Sequence, residues 1–154
     1  MTQIRAAVSA DIPPLLALIQ RYWEFEGIGG FAASRIEPVV RQLLADDAAG
    51  AVWVAESDGA LVGYLIAVLV LSVEHRGWMG EIDEFFVLPT ARGCGTGSLL
   101  LAAAEAALMK RGCMRLQLQL GTANEAARAF YRQRGYGARA GYELFDKELA
   151  RCPS

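Results

Sequence analysis

Residues 82–110 constrain this chain most. A β-type run, Ile82 to Leu88, ends at Pro89; Arg92-Gly93-Cys94-Gly95-Thr96-Gly97 then leads into Ser98 and a leucine- and alanine-rich helix through Lys110. The alternating glycines strip side chains from a helix start, so main-chain N–H groups can meet a ligand directly. The first four N–H groups of a helix lack internal partners, and the helix dipole favours negative charge there. Phosphate is the expected guest, and Arg92 adds a charge-assisted, bidentate donor. A Walker loop needs a lysine behind its last glycine, and none follows here. A dinucleotide fingerprint counted from Gly95 needs glycine where Leu100 stands. The plain alternative is a turn that uses glycine for backbone reasons only.

The rest of the chain has to build a core around this unit. Its 154 residues are 54% hydrophobic with a formal net charge of −2, which suits one mixed α/β domain over residues 1–154 and excludes disorder or a polyanion-binding surface made from overall charge. The longest apolar run, Ala60 to Val73, is broken by Gly63 and reads as a buried strand rather than a membrane span. No apolar segment follows a basic start at the N-terminus, so no signal peptide is expected. Cys94, Cys113 and Cys152 are odd in number, lack metal-ligand spacing and accompany a single histidine, His75. A cytoplasmic protein with free thiols and no metal is the expectation, with no nucleic-acid or membrane partner.

Periodicity places the elements. Gln3–Val8 suits a strand. Leu15, Leu16, Leu18, Ile19, Tyr22 and Trp23 form a helical stripe after a cap at Ser9-Ala10-Asp11, and a second helix starts at Ser34. Ala51–Glu56 and Leu61–Leu71 pair across a hairpin turn at Asp58-Gly59. The helix from Ser98 is apolar nearly all round, which predicts deep packing. Met114–Leu120 alternates as a half-buried strand. A helix over Asn124–Arg134 and a last strand over Tyr142–Leu149 follow, with room for one more strand near Tyr136. The order is β-α-α-β-β-β-α-β-α-β.

The six residues from Arg92 to Gly97 match the R/Q-x-x-G-x-G/A signature of the GNAT superfamily of N-acetyltransferases. "EFFVLP" before them resembles that family's fourth strand, "NEAARAFYRQRGY" its second cofactor motif, and "IRAAVSADIPPLLALI" its first strand and helix, so the resemblance covers nearly the whole chain. It implies a central, mostly antiparallel twisted sheet of six to seven strands with about four helices. It also implies acetyl-coenzyme A as donor, its pyrophosphate on the backbone of Arg92, Gly93, Cys94, Gly95, Thr96, Gly97 and Ser98. The pantetheine arm would lie along Phe85, Phe86 and Val87 between splayed strands, with Asn124 as a further contact. Family habit suggests a homodimer.

Transfer to an amine requires a base for the ammonium proton and an acid for the leaving thiolate. Glu81, Asp83 and Glu84 are the base candidates. Strand alternation puts Glu81 and Asp83 on the face of Val87 with Glu84 opposite, unless a bulge reverses part of that parity. "IDEFFV" is similar to the matching strand of diamine acetyltransferases, which implies Asp83 as base with Glu84 beside it; Glu81 aligns with the base of the histone-type branch. A solvated strand end is the other reading of the cluster. The resemblance places Tyr131 near the thioester sulfur as the acid; as a residue alone it also suits the core. In "RYWEFEGIGGFAAS", Trp23, Phe25 and Phe31 are candidates to line an acceptor pocket and Glu24 and Glu26 to attract a cationic amine. A small-molecule amine is the expected acceptor. A peptide amine, a non-catalytic coenzyme A-sensing module and a nucleotide-phosphate binder are the competing readings.

Overall fold

The computed structural model describes residues 1–150. They form two compact units, residues 1–119 and the chain from Leu120 on. The first contains β1 (Gln3–Ala6), α1 (Ile12–Glu26), α2 (Ala33–Ala45), β2 (Gly50–Ser57), β3 (Ala60–Ser72), β4 (Gly77–Val87), α3 (Thr96–Lys110) and β5 (Leu116–Leu118). The sheet runs β1-β2-β3-β4-β5; its first three pairings are antiparallel and β4 pairs β5 in parallel. At the β2–β3 turn Asp58 and Gly59 have φ of 51° and 77°, the left-handed pair whose twist matches a hairpin.

Both faces of the central strands are covered. Val52, Val54, Tyr64, Ile66 and Phe86 pack with Ile12, Leu15, Leu18, Ile19 and Val40 of α1 and α2. The opposite parity meets α3: a Cβ on Gly63 would lie 3.2 Å from Leu100, and one on Gly80 3.1 Å from Leu108. Helix α3 starts at Thr96, two residues before the expected Ser98, and packs on one side only. Leu100, Leu101, Ala104 and Leu108 are buried, whereas Leu99 and Met109 are exposed. The expected deep packing fails because the remaining face is mostly alanine, which costs little to leave in water.

The start of α1 is anchored electrostatically. Arg5 bonds Asp11 and Glu56, each at 2.7 Å, tying β1 and β2 to the turn before the helix. Asp11 folds back to accept the Val8 N–H at 2.7 Å rather than capping α1, and the Arg5 guanidinium holds its carboxyl below the usual carboxylate range.

The second unit contains α4 (Glu125–Arg132), whose N-cap Asn124 accepts the Ala127 N–H at 3.1 Å. The expected strands near Tyr136 and over Tyr142–Leu149 are not formed; Tyr142, Leu144, Phe145 and Leu149 are exposed. "YELFDKEL" breaks period two after Leu144, so no single face of it is apolar. The sheet therefore has five strands rather than six or seven. No helix among the described residues is long and apolar enough to cross a membrane.

Candidate active site

The glycine loop turns β4 into α3. Gly93 and Gly95 have φ of 77° and 86°, a region that costs residues with a Cβ about 1–2 kcal/mol, and Gly95 is the N-cap of α3. The Leu99 N–H closes the first helical bond onto the Gly95 carbonyl at 3.0 Å. The N–H groups from Gly93 to Gly97 donate to no acceptor among the described residues. Thr96 is buried, and the Cys94 thiol turns onto the Ala91 carbonyl at 3.0 Å. The loop thus presents consecutive bare donors at the positive end of a helix.

Next to it, β4 loses its outer neighbour. Strand β5 pairs only as far as Ile82 opposite Leu118, so no described strand borders the outer edge of β4 from Asp83 to Val87. A diphosphate suits the loop donors and an amide-bearing arm suits a strand edge that no described strand borders. Residues 85–87 and 92–98 therefore fit coenzyme A; when bound, it supplies the acetyl group as an activated thioester.

The register of β4 changes the face assignment of the acids. Ile66 lies opposite Glu84 and Ala67 opposite Ile82, which leaves Asp83 as the extra residue of a β-bulge. Simple alternation fails there. Glu84 joins Phe86 on the α1 side, and Glu81, opposite Val68, returns to that same side. Val87 sits on the α3 side beside Gly63.

Each carboxylate has a different environment. Glu84 accepts the Trp23 indole N–H at 2.6 Å on Oε1 and the Tyr64 hydroxyl at 2.8 Å on Oε2. Burial raises its pKa; the two donors and the charge of Asp83 act after that, the donors in the opposite sense. Glu81 accepts from Gln117 at 2.8 Å. Asp83 is exposed to solvent and has no hydrogen-bond partner among the described residues. Desolvation by the surrounding protein still raises its pKa, with the Glu81 charge adding to it. The charges of Glu26, Glu84 and Asp83 also act on Tyr22, which burial first of all raises to about 12.

The aromatics of α1 divide. Trp23 meets Phe31 edge-on at 5.7 Å and holds Glu84. Phe25, 60% exposed, lies instead against Arg92 and Phe86, with 5.1 Å from its ring centre to the guanidinium carbon. Glu24 and Glu26 are exposed. Tyr131 is buried in the second unit, edge-on to Phe130 and Tyr136 at 5.2 and 5.4 Å. Sequence reasoning missed Tyr64 and Gln117 as carboxylate partners. The available signal was a tyrosine inside an apolar run, because a buried phenol needs a hydrogen-bond partner. Among the described residues no group of three or more His, Cys, Asp or Glu could hold a metal ion.

An α/β sheet with a bare glycine cradle at a helix start and an opened strand edge beside a carboxylate cluster defines the coenzyme A-dependent acyltransferase class. The model of the acetyltransferase (GNAT) family matches residues 15–136, and the chain belongs to that family. It is similar to an aminoalkylphosphonate N-acetyltransferase of Salmonella typhimurium, 30% identical over 87% of this chain and 84% of that one. It also resembles an uncharacterized N-acetyltransferase of Archaeoglobus fulgidus, 35% identical over 79% and 86% of the two chains. Among solved structures, an integron cassette protein from a salt-marsh metagenome superposes with a TM-score of 0.85 at 26% identity, covering 97% of this chain and 91% of that one. The aminoglycoside acetyltransferase AAC(6')-Iy bound to coenzyme A superposes with 0.84 at 18% identity, covering 97% and 96%, a likeness of fold. The protein is an acetyl-CoA-dependent N-acetyltransferase.

Proposed function

We propose that this enzyme acetylates the primary amine of a small cationic molecule, with Asp83 as general base. One observation carries the reading: Asp83 is the acid of the β4 trio whose carboxylate has no hydrogen-bond partner among the described residues, and its pKa is raised toward the working range of a base. Glu81 and Glu84 are occupied by neighbouring donors, which suits a role as fixed negative charge. In this reading Asp83 takes the ammonium proton and releases it to solvent, the neutral amine attacks the acyl carbon, and Tyr131 protonates the sulfur as the carbon–sulfur bond breaks, regaining a proton as the new amide nitrogen loses its second one. The tyrosine's role rests on the "AFYRQRGY" resemblance.

A cationic amine is supported by the charges of Glu26, Glu84 and Asp83 that act on Tyr22, and a small-molecule amine by the Salmonella relative, whose name specifies an aminoalkylphosphonate. The family match takes in residues of both units, which supports one catalytic domain. We place the enzyme in the cytoplasm, where thiols such as Cys94 and Cys113 stay reduced. A homodimer is its expected assembly, with exposed Leu71, Val73 and Trp78 as a candidate patch. The test is turnover of acetyl-CoA with polyamines, aminoglycosides, aminoalkylphosphonates, amino acids and peptides. Turnover confined to peptides would overturn the small-amine reading.

A further inference from the structure

We infer that Phe25, at the end of α1, is a positioning residue for coenzyme binding that acts through Arg92, and is not part of the acceptor pocket. The inference rests on Arg92 meeting the coenzyme diphosphate. Arg92 is an exposed loop residue, yet its side chain is held at three points. Its Nε donates to the Val87 carbonyl at 2.8 Å. Its guanidinium carbon lies 5.1 Å from the Phe25 ring centre and 5.5 Å from that of Phe86. The two rings are 6.2 Å apart, tilted by 47°. No carboxylate pairs with Arg92, and its terminal nitrogens have no partner among the described residues.

A guanidinium over aromatic faces keeps its charge and its outer donors while losing rotational freedom. That is preorganisation for an anion, at the loop whose N–H groups from Gly93 to Gly97 meet no acceptor among the described residues. Phe86 belongs to the core and is fixed by it. Phe25 differs: it is exposed and nearly at the helix end, which a Schellman closure fixes. The Gly27 N–H bonds the Glu24 carbonyl and the Ile28 N–H bonds the Trp23 carbonyl at 2.8 Å. Helix phase also separates the roles, since residues two apart point about 200° from each other. Trp23 therefore serves the carboxylate cluster while Phe25 serves the loop.

The experiment compares acetyl-CoA with acetyl-pantetheine, which lacks the diphosphate. Phe25→Ala should raise the KM for acetyl-CoA about two- to fivefold, leaving kcat, the acceptor KM, the thermal midpoint and acetyl-pantetheine turnover unchanged. Phe25→Tyr should restore the wild-type KM, whereas Phe25→Leu, which keeps apolar bulk without an aromatic face, should not. In an Arg92→Ala background Phe25→Ala should add nothing. Equal loss with both donors, or a raised acceptor KM at saturating acetyl-CoA, would overturn the role of Phe25. If Arg92→Ala harms both donors equally, the premise about Arg92 fails and the inference falls with it, while acetyl transfer itself stands.

Discussion

Glu84 has two neutral donors on a half-buried carboxylate, and removing one exposes how much the ion depends on them. Trp23→Phe keeps an aromatic ring but leaves Oε1 without the indole N–H now at 2.6 Å. Hydrogen bonds to charged groups are worth about 1.5–3 kcal/mol, so urea unfolding at neutral pH should register a loss of that size. The loss should shrink as pH falls and Glu84 is protonated. Asp83 provides the complementary case. Its raised pKa means that the folded chain keeps a proton which the unfolded chain has released, so stability falls as pH rises through that window. Asp83→Asn should therefore be the more stable protein at neutral pH, and the difference should vanish below the ordinary carboxylate range. The same variant should lose about 10²- to 10⁴-fold in kcat together with the acidic limb of the kcat/KM profile, a limb that sits above the usual aspartate value in the wild type. A more stable Asn variant with full activity would remove Asp83 from catalysis.

At the level of elements, the strand, loop and helix around Arg92–Gly97 were legible because glycine spacing, a proline and a leucine-rich run all point to one backbone path. A bulge was open as an alternative to simple alternation, but its place at Asp83 was not legible. An inserted residue leaves no mark in composition, yet it moves Glu84 and Glu81 to one face and changes which acid is unengaged. The division between Trp23 and Phe25 was available from helix phase, but aromatic character alone grouped them with Phe31 as one pocket. The end of the chain was overread, because two apolar positions in "YEL" suggest alternation that "FDKEL" does not continue. Gly95→Ala tests the legible part. A Cβ there meets no atom within 4 Å, so any effect comes from holding φ at 86°. The variant should lose about 1–2 kcal/mol and bind coenzyme A more weakly by calorimetry, with acceptor KM unchanged.

For the molecule as a whole, a net charge of −2 is too small to draw in a cationic acceptor over long distances, so attraction has to come from the local group formed by Glu26, Glu81, Asp83 and Glu84. Such attraction is short-ranged: the Debye length is about 10 Å at 0.1 M salt and about 3 Å at 1 M. A diamine presents a second charge to that group, whereas a monoamine presents only the one that is lost before attack. A pair of unit charges a few ångströms apart in water is worth about 1 kcal/mol, or about fivefold in affinity. Raising sodium chloride from 0.05 to 1 M should therefore raise the KM of a diamine severalfold and that of a monoamine of equal length much less, with the KM of acetyl-pantetheine as the control for general salt effects. Glu26 is the exposed member of the group on α1, and Glu26→Gln should remove part of the difference without altering kcat. If diamine and monoamine respond alike, the acids of β4 and α1 do not select the acceptor by charge, and the role left to β4 is the proton transfer.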